Sequence, residues 1–401
     1  MCSVAIRGRG GAIFKLSVAQ RWVATVALGH FAVDFTAMLP TMMYPFLASR
    51  MGLSLGLIGV ASFVWATASS TCQPLFGYLG DRLGRRWLAA GTIAAMAVLV
   101  ALIPNVQGFG QLVVLLAIAG IAVGAFHPQG GAIANEASLA NKGTNVATFF
   151  LGGHLGFTVA PLVAGAVLAS SGLEYMSFLV IPALLIALVL PFGLKGVEHV
   201  HQSSPVDSSD NVSALGLAIA AILVVALIRG WAYASLTVFI PLFVSPGNPD
   251  PTLFGSMLSI FLAFHAAGAF SGGVMADRFG VRLMVGVSSA LIIPTIAGFA
   301  LLQVGWSSYV LIAATGALIG AGFTPTVLLM QRLVPKRMGA GTGIVLGVSF
   351  GAGAIGNLIT GFVGEMAGLS VAFLLLAVVQ VLVLVALRWI PGRNTSGAYI
   401  G

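Results

Sequence analysis

Charge is what this chain has least of. Asp, Glu, Lys and Arg make up only 7% of its 401 residues, against about 25% in soluble globular domains, so it cannot cover a water-facing surface. Disordered and fibrous classes are excluded by the same composition. Cysteine is almost absent: Cys2 and Cys72, far apart in sequence, form neither a disulfide framework nor a metal-ligand pattern. The chain has no GxxxxGK[ST] string, which argues against ATP as the direct energy source, and no HExxH string. An intramembrane enzyme would therefore lack both a nucleophile motif and a metal motif. The N-terminus has no short apolar core followed by a cleavage signature, so the first apolar segment is expected to stay as a helix. No cofactor is expected.

What the chain has in abundance is apolar surface: 59% hydrophobic residues and a mean hydropathy of +1.06. One helical crossing needs roughly 20 apolar residues. Twelve such runs are read, near 22–48, 54–79, 87–104, 109–134, 146–170, 175–194, 213–243, 253–275, 283–303, 307–331, 341–366 and 369–389. A membrane barrel would alternate apolar and polar residues in strands of about ten, and these runs are continuous instead. The expectation is an all-α integral membrane protein. The 52 glycines fit it, because small residues let membrane helices approach closely.

Basic residues orient the chain. If both termini lie in the cytoplasm, sixteen of the eighteen Lys and Arg fall on that side, all but Arg50 and Arg229. That is the positive-inside pattern. The formal net charge of +8 then reflects topology and contact with anionic lipid headgroups, not nucleic-acid binding. A multi-pass protein of the inner (cytoplasmic) membrane is expected.

The sequence also repeats. "GYLGDRLGRR" at 77–86 returns as "GGVMADRFGVR" at 272–282, placing Asp81 and Asp277 196 residues apart. "GAFHP" at 124–128 returns as "AGFTP" at 321–325, and "GHLG" at 153–156 as "GAIG" at 353–356. The one long polar stretch, opening with Lys195, lies between the copies and reads as a linker. The expected organisation is a six-helix bundle over 1–194, a cytoplasmic linker over 195–212 and a second six-helix bundle over 213–401. Duplicated bundles of this kind are the architecture of many secondary transporters.

Three strings carry a resemblance. Gly77-x-Leu79-x-Asp81-Arg82-x-Gly84-Arg85-Arg86 resembles the loop 2–3 signature of the major facilitator superfamily, with Asp277-Arg278 as its echo. The resemblance implies that the acidic residue locks the halves together on the cytoplasmic side. Helix 5 carries Gly156-x3-Ala160-Pro161-x2-Ala164-Gly165, similar to the superfamily's antiporter motif with alanine at two glycine positions; Pro161 is expected to bend that helix. The stretches "GHFAVDFTAMLPTMMYPFLASRMGLSLGLIG", "GAFHPQGGAIANEA", "FFLGGHLGFTVAPL" and "MQRLVPKRMGAGTGIVLGVSFGAGAIG" resemble the fosmidomycin resistance group. Gln129 and Arg332 depart from it, standing where an acid is expected. The resemblance implies efflux of a small drug-like molecule in exchange for protons.

His30 and Asp34 sit inside the first apolar run. Asp costs roughly 2.5–3.5 kcal/mol at a membrane-helix centre by insertion scales, so Asp34 should face the bundle interior. Four residues apart, the two side chains share a helix face. Asp34 is the expected proton carrier, tuned by His30; the alternative is a permanently satisfied structural carboxylate. His127 and His154 lie at a depth like that of His30, about 10–12 Å from the cytoplasmic helix ends at 1.5 Å per residue, which invites a shared polar cluster. A metal site is not expected, for want of cysteines or a carboxylate pattern beside the histidines. Arg229 aligns with His30 in the repeat and is expected to hold either Asp34 or an anionic substrate group, unless it is bonded to helix carbonyls. Tyr233 and His265 are further candidates for the substrate site, although Tyr233, with Trp231 and Trp65, is equally explained as packing, and His265 equally faces a neighbouring helix.

Three transport or binding functions compete, with an intramembrane enzyme using His and Asp as a catalytic pair as the remote alternative. A proton-coupled exporter of a drug-like or organic-anion substrate, acting as a monomer, accounts for all the motifs. A proton-coupled importer of a small organic anion uses the same parts. A non-transporting receptor would explain the helices but not the paired loop signatures.

Overall fold

The computed structural model describes residues 5–7, 13–138, 141–197, 213–246, 249–334 and 338–390. Most of the expected linker, 198–212, lies outside them. In an apolar medium each backbone N–H and C=O needs an internal partner, and the chain meets that need with long helices. The first half comprises α1 (Val18–Met51), α2 (Leu55–Thr71), α3 (Gln73–Leu83), α4 (Arg85–Leu102), α5 (Phe109–Glu136), α6 (Lys142–Ser170) and α7 (Ile181–Gly193). The second comprises α8 (Ser213–Val244), α9 (Pro251–Phe279), α10 (Val281–Leu301), α11 (Trp306–Leu333), α12 (Met338–Ala367), α13 (Leu369–Val378) and α14 (Gln380–Ala386). A short antiparallel hairpin, β1 (Ala5–Arg7) with β2 (Ile13–Lys15), precedes α1, a feature the hydropathy pattern did not foreshadow.

Among the described residues, eleven segments are long and apolar enough to cross a membrane, and α2 with α3, taken as one span bent by 42°, makes a twelfth. The bend corrects the expected straight run over 54–79. Pro74 has no N–H to donate and sits at the start of α3, so the helix restarts there. The sixth span opens as a 3₁₀ turn, Leu173–Val180, and the last is broken at Val379. α6 runs unbroken through Pro161. Helix starts use ordinary capping chemistry: Ser17 forms a capping box with Gln20, and the Asp250 carboxylate accepts from the N–H groups of Thr252 and Leu253.

The duplication is visible in the packing. α2 lies on α5 as α9 lies on α11, α4 on α5 as α10 on α11, α1 on α6 as α8 on α12, and α4 on α7 as α10 on α13. Between the halves, α2 meets α12 and α6 meets α9, again one contact in two copies. The fold is therefore two pseudo-symmetric six-helix bundles. Gly84 and Gly280, at the same point of each copy, both adopt positive φ, 93° and 94°, a conformation open to glycine and strained for side-chain-bearing residues.

Among the described residues, the close glycine crossings between the halves gather at one end. We call the end carrying Arg82–Arg86, Lys142 and Arg278–Arg282 the basic end. At the other, far end, Gly59 of α2 lies against the backbone of Asn357, Leu358 and Gly361 on α12, and Gly165 of α6 lies against Pro251 and Gly255 on α9. Nearer the basic end, side chains at Gly347 and Gly351 of α12 would meet open space. The buried apolar core follows suit. A large cluster runs across both halves, whereas a separate cluster at the basic end, including Ile222, Val285, Met330 and Val383, belongs to the second half alone.

Within a half the helices are as close. Gly268 of α9 rests on Ala317 of α11, backbone against backbone. Gly268→Val should therefore force the pair apart and lower stability by roughly 1–3 kcal/mol, measured as a lower unfolding temperature of the purified protein in detergent.

Candidate functional site

The apolar run that carries α1 has to place Asp34 where it finds partners inside the protein. It does so by turning one face of α1 toward α5 and α6. His30 Nε2 lies 3.2 Å from Asp34 Oδ2 on the same helix, and His127 Nε2 of α5 lies 3.6 Å from Asp34 Oδ1. The two imidazoles stand edge to face, 5.1 Å between centroids. His30 and Asp34 are 3% and 4% exposed, while the His127 side chain is 27% exposed, so His127 is the member that opens outward.

Each imidazole is oriented from behind. Nδ1 of His30 donates to the Phe149 carbonyl of α6 at 2.8 Å, and Nδ1 of His127 donates to the Val123 carbonyl at 2.9 Å. A carbonyl only accepts, so Nδ1 carries hydrogen in both rings and Nε2 is the nitrogen turned to Asp34. Phe149 also stacks on His30, centroids 4.1 Å apart. Close approach needs glycine: a side chain at Gly153 would collide with Asp34 Oδ2 and His30 Nε2. Phe149 and Gly153 were not singled out from sequence. The "FFLGGH" string held them, but a glycine pair in a glycine-rich helix carries no mark of what it faces.

The equal depth of the histidines thus translates into contact for His30 and His127. His154, next in chain to Gly153, is half-buried without a hydrogen bond to the cluster. The expectation of no metal rested on the lack of a carboxylate beside these histidines, and that reason does not hold. One donor atom each from His30, Asp34 and His127 lie within 4.8 Å of one another, a set that suits a cation, whether a shared proton or a metal ion.

The expected pairing of Arg229 with Asp34 is not what the structure contains. Arg229 is 4% exposed and points into the second half. Its Nη1 donates to the Leu318 and Ile319 carbonyls of α11 at 2.9 and 2.8 Å. Nη2 donates to the hydroxyls of Ser288 and, at 3.0 Å, Ser289 of α10, and the guanidinium lies flat on Gly322. The reason is proximity: carbonyls and hydroxyls one helix away satisfy the fork without crossing the seam. Tyr233 of α8 packs on His265 of α9, rings 4.4 Å apart, and on Phe261. Trp231 donates to Thr360 of α12 at 2.9 Å, a packing role.

The loop signature is likewise satisfied within its own half. Asp81 accepts from Arg85, whose other nitrogen reaches the Pro128 carbonyl at 3.5 Å. Arg82 stacks on Tyr78, Arg86 on Trp87 and Arg278 on Phe279. Asp277 lies 3.4 Å from Arg332. Among the described residues, Asp81 and Asp277 thus pair with arginines of their own halves, and the expected acid-mediated lock between halves is not among their contacts. Both departures from the resembled group acquire a physical reason. Gln129 is fully buried and donates to the Phe76 carbonyl at 2.6 Å, which an ionised acid cannot do, and Arg332 is the partner of Asp277. The helix-5 motif divides its work: Gly156 lies against Phe31 and Phe35 of α1, whereas Gly165 lies against α9 across the seam, where Gly255 in turn meets the Pro161 carbonyl.

Two duplicated bundles, a seam closed at the far end and an ionisable cluster buried inside the first bundle fit a membrane transporter, and relatives agree. The chain belongs to the Major Facilitator Superfamily, whose sequence profile matches residues 26–248 and again 222–398. It is 23% identical to the fosmidomycin resistance protein of Escherichia coli (strain K12) over 390 residues, covering 94% of both chains. It is 26% identical to the uncharacterised MFS-type transporter YfnC of Bacillus subtilis (strain 168), with 90% of each covered. Its fold matches the crystal structure of a bacterial homologue of the human lysosomal transporter Spinster, in an inward-facing and unoccupied conformation, with a TM-score of 0.80 at 13% identity, over 94% of this chain and 98% of that one. The protein is a transporter, not an enzyme.

If Arg229 ties α8 to α10 and α11, Arg229→Met should leave buried acceptors without their donor, at a cost of roughly 1–3 kcal/mol. Differential scanning of the detergent-solubilised protein would show this as a lower unfolding temperature. An unchanged temperature together with lost transport would make Arg229 a ligand-facing residue instead.

Proposed function

We propose that the protein exports small drug-like or organic-anion molecules in exchange for protons, by alternating access across the inner membrane. The basic end and both termini face the cytoplasm, with residues 195–212 as a cytoplasmic linker between the halves. It works as a monomer among membrane lipids. The arrangement described is then the state closed to the outside, with substrate entering between the halves from the cytoplasm.

The observation that carries the proposal is the His30–Asp34–His127 cluster. A carboxylate buried in a membrane helix is retained at a cost, and its two partners are imidazoles, a side-chain type suited to passing a proton. Asp34 Oδ1 has no hydrogen-bond partner, and His127, which faces it, is the exposed member. Asp34 is the proton carrier, His127 the group through which protons come and go, and His30 the group that orients the carboxylate from its own helix. Two unit charges 4 Å apart attract by about 4 kcal/mol at an effective dielectric of 20, enough to bias a two-state gate when one of them is neutralised. His154, on the first half, and Tyr233 and His265, on the second, are the substrate-contacting set. The name of the Escherichia coli relative, a fosmidomycin resistance protein, supports drug-like cargo.

Asp34→Asn, a mimic of the protonated acid, should retain substrate binding and lose pH-driven transport by at least about tenfold, assayed in everted vesicles under an imposed pH gradient. Accumulation against a gradient by that variant would remove Asp34 as carrier and leave His127 and His30. Movement of substrate in the opposite direction would make the protein an importer. Topology has its own check: single cysteines placed in 195–212 should react with an impermeant maleimide from the cytoplasmic side and not from the outside of intact cells.

A further inference from the structure

The far-end seam carries a polar contact that none of the motifs includes. Glu365, in the last turn of α12, reaches across to the first turn of α2. Its Oε2 accepts from the Ser54 hydroxyl at 2.7 Å and from the Gly56 N–H at 2.9 Å. Ser54 is also the N-cap of α2, accepting from the Leu57 N–H. A helix N-terminus presents N–H groups without intrahelical acceptors and a partial positive charge, so a carboxylate is the group it favours.

The counterpart of α2 in the other half is α9, and its N-terminus is treated differently. Asp250 caps it from within the same half. The two N-termini that flank the far-end seam are therefore not equivalent: one is completed by its own half, the other by the opposite half. When α2 and α12 separate, Gly56 and Ser54 exchange a charged acceptor for water, whereas α9 loses nothing at its cap. The contact also needs glycine at position 56, because a side chain there would fall on Glu365 Oε2 and Phe362. Immediately below, Gly59 and Gly361 bring the two backbones together, so the carboxylate sits at the mouth of the closest crossing between α2 and α12.

We propose that Glu365, seated on the N-terminus of α2, is the latch that holds the far end of the transporter closed, and that releasing it is a required step in opening that end. Its consequence for transport rests on the alternating-access exporter proposed above, but the latch itself is a statement about conformational populations. The test therefore uses neither substrate nor a proton gradient, so its failure is distinct from a failure of the Asp34 assay. In a Cys2→Ser, Cys72→Ser background, spin labels at Gln107 and Gln303, one per half in the far-end loops, report opening there. Labels at Gly143 and Arg282 report the basic end.

Glu365→Ala should raise the ratio of long to short distances at the far end by about five-fold and shorten the basic-end distances in step. Glu365→Gln, which keeps the acceptor but loses the charge, should fall between Glu365→Ala and the parent. Gly56→Ala is the decisive variant: alanine favours the helix, so α2 itself is not weakened, yet the added methyl occupies the carboxylate's place. It should open the far end as Glu365→Ala does. Unchanged far-end distances in Glu365→Ala and Gly56→Ala would overturn the proposal. So would opening in Glu365→Ala with none in Gly56→Ala, since the contact with α2 would then not be the cause. If Glu365→Ala is not recovered folded, Ser54→Ala and Gly56→Ala decide the matter by the same distances.

Discussion

The charged and amide groups buried in this protein answer to one constraint: the surrounding medium offers no hydrogen bonds, so their main partners must come from other parts of the chain. Asp34 shows it most sharply, set between two imidazoles that are themselves tethered to carbonyls of α5 and α6. Arg229 meets the same demand with carbonyls of α11 and hydroxyls of α10, and Gln129 with the Phe76 carbonyl of α3. These contacts do more than satisfy charges. They fix which helix faces which, because a side chain whose only partners lie on one neighbour cannot rotate away without losing them.

That constraint divides the labour between the halves. In the first, the ionisable groups come together at one point, and the helix that carries His127 continues directly into Pro128 and Gln129, which touch Arg85 of the loop signature and the backbone of α3. The His30–Asp34–His127 cluster and the loop signature thus share one short stretch of α5. In the second half, at the position matched by the repeat, Arg229 is enclosed by its own bundle. Duplication preserved the helix packing, down to corresponding helix pairs and the positive φ of Gly84 and Gly280, while the buried chemistry diverged. Asymmetric chemistry on a symmetric frame fits the proton-coupled transport proposed above, in which one ionisable site is coupled to a swing of two bundles.

Movement depends on how the seam is made. Glycine crossings at Gly59 with Gly361 and at Gly165 with Gly255 bring backbones together with little side-chain interlocking. Contacts of this kind are close but shallow, although the large apolar cluster also runs across the seam. The apolar cluster confined to the basic end of the second half shows that this bundle keeps a core of its own where the halves do not touch.

Much of this was legible before any coordinates. Continuous apolar runs required helices, the spacing of the repeats required two bundles, and the fourfold separation of His30 and Asp34 required a shared face, since each follows from local periodicity and the cost of polar groups in lipid. The bend at Cys72 was also within reach, Pro74 being its cause. What periodicity cannot carry is which neighbour a face meets. Equal depth brought His127 to Asp34 but left His154 aside, because depth fixes height along a helix and not rotation about it. Arg229 aligned with His30 yet turned inward, because acceptors on α10 and α11 were nearer than any acid across the seam. Glu365 on Gly56 left no trace in the sequence at all: a single glutamate near a helix end becomes a contact only when two bundles close, and that closure is a property of their packing.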